Sequence, residues 1–328
     1  MRLIRLTFAF MVLMTGQYCR GQTQLAPVSQ GDVVLEIVNG TPGGHSVVGD
    51  AVTLRLIRGQ EILTTLRDKV NDESQVIFKN VPREEGLAGL VNCEHEGAPF
   101  YGNIIPLIPA HANVSGKITV FDVTADTSSL SIPMHHISIK QVGNILEVSE
   151  FMRLKNSAML AVKPEVGADY NQPVVLEMFL PKGYRNFSVQ SYFNLNDLVW
   201  TEEGFFDPVP VAPGDGDIQF SYVIDIRSTA MDFSKKISLP TGMTIVFLAL
   251  TQAQPQGLGN AISKLKKEDD TEYDYYQAGS HQAGDIIEFQ LVGFVGRKID
   301  PTWFVLGFVF VVVLFVVVWR VKTGKVKS

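Results

Sequence analysis

Ile218-Gln219-Phe220-Ser221-Tyr222-Val223-Ile224-Asp225-Ile226 decides the fold class. Ile218, Phe220, Tyr222, Ile224 and Ile226 share one parity, and Gln219, Ser221, Val223 and Asp225 share the other. Successive side chains of a strand point to opposite faces, so a period of two sets one face on a core and the other in water. That is the habit of antiparallel sheets. Outward from this stretch the signature recurs at 117–123, 136–140, 145–154, 174–180 and 286–292. The runs 136–140 and 145–154 flank Gln141-Val142-Gly143-Asn144, a hairpin signal. Upstream lies another series, 33–38, 51–57, 61–66, 75–81 and 87–93, in which Val52, Leu54 and Leu56 face one way and Thr53 and Arg55 the other. Asn39-Gly40-Thr41-Pro42-Gly43-Gly44 is a turn cluster, because Gly permits φ > 0 and Pro presets φ. A connector rich in Pro and Gly, 98–116, separates the two series. The pattern predicts an all-β protein with a small N-terminal β-sandwich and a larger second β-sandwich.

Both ends depart from that pattern. Trp303 to Trp319 holds only apolar residues and Gly. As a helix at about 1.5 Å per residue, 301–321 reaches roughly 30 Å, the thickness of a hydrocarbon core. A helix satisfies its own backbone polar groups, as lipid demands. Trp303 and Trp319 sit where an aromatic belt belongs, and Arg320, Lys322, Lys325 and Lys327 follow at once. The expectation is one C-terminal transmembrane α-helix at 301–321 with a cytoplasmic tail at 322–328. At the other end, Met1-Arg2-Leu3-Ile4-Arg5 precedes a nine-residue apolar stretch too short to span, so 1–21 reads as a signal peptide. Lipidation at Cys19 is disfavoured by the bulky Tyr18 before it.

Between those segments, 22–300 carries 21 Lys plus Arg against 34 Asp plus Glu, about −13. Nucleic-acid binding needs clustered basic residues to displace counterions, so no nucleic-acid partner is expected. Cys93 is left alone once Cys19 departs with the signal peptide, so no intrachain disulfide forms and core burial must hold the fold. Following Leu90-Val91-Asn92, Cys93 reads as a small buried hydrophobe.

Asn39-Gly40-Thr41-Pro42-Gly43-Gly44, then Val47-Val48-Gly49-Asp50-Ala51-Val52-Thr53-Leu54, then Thr64-Thr65, then Val76-Ile77-Phe78-Lys79-Asn80-Val81 resembles the carboxypeptidase regulatory-like domain. The resemblance implies a transthyretin-like (prealbumin-like) sandwich at 30–111, serving as a structural or binding module. The family's usual Gly before its aromatic strand is replaced by Asp72-Glu73-Ser74-Gln75. A second set, from Val120-Phe121-Asp122-Val123-Thr124 through Met134-His135-His136-Ile137 and Leu146-Glu147-Val148-Ser149-Glu150 to Phe179-Leu180-Pro181-Lys182-Gly183, is joined by 207–214 and Phe220-Ser221-Tyr222. With the anchor, it resembles bacterial membrane-anchored proteins that carry a regulatory-like domain before a second β domain. That resemblance implies no reaction, and no peptidase domain accompanies it.

Chemistry needs a constellation. No His-Glu-x-x-His, Gly-x-Ser-x-Gly, phosphate-binding Gly loop or Cys-x-x-Cys is present, and Glu94-His95-Glu96 has no partner His at helical spacing. Of six His residues only His135 and His136 are adjacent. Strand neighbours point apart, so one is expected inward with a hydrogen bond and the other at the surface. Glu150 shares the parity of Leu146, Val148, Met152 and Leu154, which turns a carboxylate toward the core. A β-bulge or an Arg partner is expected there rather than catalysis. Glu268-Asp269-Asp270-Thr271-Glu272-Tyr273-Asp274 lacks the Gly and terminal Glu of a calcium loop and reads as part of a solvated loop insertion at 255–284. Asn113-Val114-Ser115 and Asn186-Phe187-Ser188 are glycosylation sequons, meaningful only in a eukaryotic secretory pathway, and the bacterial resemblance implies that both are chance matches.

The second sandwich region is expected at 116–295. No catalytic, cofactor-binding or metal-ligating residue is assigned. The reading is a non-enzymatic, single-pass inner-membrane protein with periplasmic sandwiches that bind or scaffold an envelope protein or glycan partner. The alternatives are an accessory subunit of an envelope assembly or transport complex, and then a hydrolase.

Overall fold

The computed structural model describes residues 29–111, 113–166, 170–266 and 270–295. All regular elements among them are strands. The expected signal peptide (1–21), transmembrane helix (301–321) and tail (322–328) lie outside the described residues. Among the described residues no helix is long and apolar enough to cross a membrane.

The first sandwich stacks a three-stranded sheet, in the order Gln75–Arg83, Ser29–Asn39, Val114–Val120, on a second sheet. That second sheet runs Glu61–Lys69, Ala51–Arg58, Leu87–His95, Ala98–Tyr101, with Ile105–Pro106 also paired to Leu87–His95. Alternate residues supply the core: Val33, Leu35 and Ile37 from one sheet meet Val52, Leu54, Leu56, Val91 and Cys93 from the other. Where the family pattern has Gly, Ser74 takes a left-handed φ of 58°. Asn71 builds that turn, its Oδ1 accepting the Glu73 and Gln75 N–H groups at 3.0 and 2.8 Å.

The second sandwich sets a seven-stranded sheet against two smaller ones over one contiguous core. The large sheet runs Tyr184–Ser191, Gly214–Asp225, Ile145–Asn156, Leu130–Val142, Thr241–Ala249, Glu272–His281, Ser263–Lys266. Its cover comprises Leu176–Phe179, Gly204–Asp207 and Val199–Trp200 in one sheet, and Ala230–Lys236, Ile286–Val292 and Gln254–Gln256 in the other. Ile218, Phe220, Tyr222 and Ile224 are all buried, as their parity predicted. The 141–144 hairpin forms, with Gly143 at φ +58°.

Three sequence expectations need correction. The strand at 117–123 splits. Val114–Val120 closes the first sandwich by pairing parallel to Ser29–Asn39, from Val33↔Val114 to Asn39↔Val120, so that sandwich runs past 111. The supposed loop insertion at 255–284 contains a hairpin, Ser263–Lys266 with Glu272–His281, which extends the seven-stranded sheet. Tyr273 and Tyr276 are buried, while Lys264 and Lys266 bridge to Glu272, Asp274 and Asp270, so these three acids lie on a charge-paired edge. At Glu150 the register is regular, Ile137↔Glu150 and Glu150↔Phe220, and the basic partner is a Lys.

The junction is short and tied at both sides. Val123–Thr124 pairs parallel with Ala161–Val162. Neighbours on that two-residue strand point apart, so Ala161 enters the first core and Val162 the second.

Candidate functional site

The densest polar chemistry lies at this junction. Asn39 and His95 end their strands, Asp50 precedes one, His45 sits in the turn between, and Asp122 leads out of Val114–Val120. Strand ends on one side of a sandwich are neighbours in space whatever their sequence separation. His95, 2% exposed, is held between two carboxylates: Nδ1 lies 2.6 Å from Asp50 Oδ2 and Nε2 3.1 Å from Asp122 Oδ1. Burial lowers the His95 pKa, but hydrogen bonds to Asp122 and Asp50 and the nearby Glu96 charge outweigh it, leaving a net rise. Burial likewise raises Asp122, yet donors from Asn39, His95 and His45 pull it below the usual carboxylate range. Both shifts favour an imidazolium clasped by two carboxylates.

Asp122 is the hub. Its Oδ1 accepts Asn39 Nδ2 at 2.6 Å, and the His45 N–H reaches both its oxygens at 3.1 Å. Gly44 makes this approach possible, since a Cβ there would come within 2.6 Å of Asn39 Nδ2 and 2.9 Å of Asp122 Oδ1. On the outer side, His45 Nδ1 lies 2.6 Å from Glu96 Oε1 and 3.3 Å from Asp122 Oδ2. The other Glu96 oxygen accepts the Val123 N–H at 2.7 Å. Ligand atoms of His45, Glu96 and Asp122 all fall within 4.8 Å of one another, a set able to hold a cation. Thr41 completes the tie, accepting the Asp122 N–H at 3.0 Å and donating to Met159 O at 2.9 Å.

A second polar set is sealed inside the larger sandwich. Glu150 accepts from Lys235 Nζ at 2.9 Å, His135 Nε2 at 2.8 Å and Tyr222 OH at 2.7 Å, and all four residues are buried. Burial raises the Glu150 pKa, but the Lys235 ammonium and His135 overcome it and hold it at about 2. Burial lowers His135 further than Glu150 raises it, so the ring is neutral and Nε2 carries the proton it donates. Of the histidine pair, His135 therefore points inward as expected. His136 lies half-buried between the Phe151 and Phe247 rings, with centroids 5.8 and 5.4 Å away. Cys93 is fully buried, and burial, with Asp50 and Glu94 adding, pushes its thiol up to about 12.

In the sequence His95 has no partner at helical spacing. Its partners stand 45 and 27 positions away, at the ends of other strands. The sequence signal is positional and partial: Asn39 and Asp50 border alternating runs, His95 follows one by two positions, and Asp122 falls near the end of another.

No family model matches this chain, and no curated protein does. Among solved structures, the full-length major pilin SpaD from Corynebacterium diphtheriae matches at 12% identity, covering 80% of this chain and 82% of that one, with a TM-score of 0.21. At that score the likeness assigns neither family nor function.

Proposed function

We propose that this chain is a non-enzymatic, single-pass envelope protein whose extracytoplasmic sandwiches scaffold or bind a protein or glycan partner. The observation that carries the reading is the pinned junction. Neighbouring residues Ala161 and Val162 enter different cores, and Asp122, between Val114–Val120 and Val123–Thr124, gathers donors from the first sandwich while its carbonyl accepts the Ala161 N–H at 2.8 Å. A joint so tied holds two sheet-built bodies in fixed relation, which suits a spacer that presents a surface. The resemblance of 30–111 to a structural or binding module, and the apolar run at 303–319, favour the same reading. The strand Glu61–Lys69 offers a place for contact: it edges its sheet, is exposed along nearly all its length, and shows Ile62 and Leu63 to solvent.

In-cell crosslinking followed by capture of the full-length protein tests this. A defined partner is expected with the parent chain and is reduced at least tenfold by Ile62→Lys with Leu63→Lys. Recovery of no partner, or of the same partner by a chain lacking 29–295, refutes it.

A further inference from the structure

We propose that His45, Glu96 and Asp122 form a binding site for a first-row divalent metal ion of the zinc class, and that the ion fastens the segment leading out of Val114–Val120 to the turns of the first sandwich. The inference goes beyond the scaffold reading and stands whether or not a partner is found.

The donor set comes from three separate segments: the turn after Ser29–Asn39, the turn after Leu87–His95, and the stretch just past Val114–Val120. One imidazole with two carboxylates suits a borderline ion better than the all-oxygen shells that calcium and magnesium prefer. Four-coordinate zinc, about 2.0–2.1 Å from each donor, separates its ligands by roughly 3.3 Å. His45 Nδ1 and Asp122 Oδ2 already stand 3.3 Å apart. Glu96 Oε1, now 2.6 Å from the same nitrogen, has to retreat by only about 0.7 Å to match that spacing.

The arrangement of the remaining atoms carries the inference beyond a chance meeting of charges. Each carboxylate is held mainly through one oxygen and turns the other toward the His45 ring. Asp122 Oδ1 is bound by Asn39 and His95, and Oδ2, which shares the His45 backbone N–H with Oδ1, faces the His45 ring at 3.3 Å. Glu96 Oε2 is bound by the Val123 N–H, leaving Oε1 toward the same point. Behind Asp122, His95 is oriented in turn by Asp50. Metal-ligating carboxylates are held in this way by an outer shell that sets their direction. The charge agrees: Asp50, Glu96 and Asp122 outnumber His95 even when that ring is protonated, so a cation is drawn in. His45 is largely exposed, which gives the ion a path from solvent and leaves its fourth position to water.

The test uses the full-length chain in detergent micelles, stripped with chelator and dialysed separately against ZnCl2, MnCl2, CaCl2 or MgCl2, with bound metal counted by mass spectrometry. One zinc per chain is expected, with manganese weaker and calcium and magnesium weaker still. His45→Ala and Glu96→Gln should each weaken zinc at least tenfold, while His111→Ala leaves it unchanged. His45 is solvent-facing, so its variant folds even if an Asp122→Asn chain does not. Zinc should also raise the melting temperature of the parent chain and not that of His45→Ala. Absence of stoichiometric zinc overturns the proposal, as does zinc binding that survives both His45→Ala and Glu96→Gln. Because no partner is present, this outcome is independent of the capture experiment.

Discussion

Lys235→Met should damage the protein far more than the loss of one surface charge, and the reason is Glu150. Lys235 is 3% exposed; its ammonium lies 2.9 Å from Glu150 Oε1, donates to Phe179 O, and sits 5.4 Å from the Phe220 ring centroid. Methionine keeps most of the stem volume, so packing changes little and electrostatics dominates. What remains is a fully buried carboxylate with two donors and no counter-charge. Breaking one side of a buried pair costs about 3–5 kcal/mol. In a domain of this size that lowers the melting temperature by roughly 10 °C. Adding Glu150→Gln should return much of the loss, since the amide carbonyl still accepts from Tyr222 or His135 and no charge is stranded. The assay is thermal and urea unfolding of the parent, both single variants and the double, closed as a double-mutant cycle. The sign with pH follows from the depressed Glu150 pKa. Its contribution is fully present above its ordinary value near 4.5 and is lost as pH falls toward about 2. In Lys235→Met the carboxylate protonates more readily, so the deficit is widest at neutral pH and narrows in acid. A Lys235→Met protein within 1 kcal/mol of the parent, or a double variant whose loss is the sum of the singles, refutes the reasoning.

Asp207 behaves in the opposite sense. Burial pushes its pKa up to about 6 despite the Val209 N–H it accepts, with Asp197 adding to the rise, so its charged form opposes folding and stability falls as pH climbs from about 4 to about 6. Asp207→Asn, which keeps that acceptor, is expected to stabilise the protein by about 1–3 kcal/mol at pH 7.5 and by almost nothing at pH 4, read by urea unfolding at both. A pH-independent difference counts against this. Cys93 should resist iodoacetamide at pH 8 in the native protein and react within minutes in urea, because its thiol is buried and pushed up to about 12. Rapid labelling of the native state would contradict that burial.

Much of the fold was legible because half-buried strands write their burial into their parity. Ile218 to Ile226 alternates in sequence and alternates in the structure, and Glu150 was placed in the core by its neighbours alone. Its partner was not legible, since Lys235 arrives from a strand of the covering sheet. Thr241–Ala249 escaped notice for a physical reason. It lies inside the large sheet between Leu130–Val142 and Glu272–His281, and Ile245-Val246-Phe247-Leu248 reads as an unbroken apolar run without a period of two. The hairpin at 263–281 hid its buried tyrosines among acids. Val114–Val120 showed its strand character but not its partner, because a parallel pairing with Ser29–Asn39 leaves no local turn to announce it. The His95 cluster is the extreme case. Its members are strung across more than eighty positions, and only the closing of the sandwich brings them together.

The parallel seam between the first and last strands of the small sandwich also has a mechanical meaning. Tension applied through the chain enters at Ser29 and leaves at Val120, at opposite ends of that seam, so the two strands are asked to slide lengthwise past each other. Seven residue pairs then resist in concert. In the Leu130–Val142 and Ile145–Asn156 hairpin the free ends lie side by side, and the same tug would peel the rungs apart one after another.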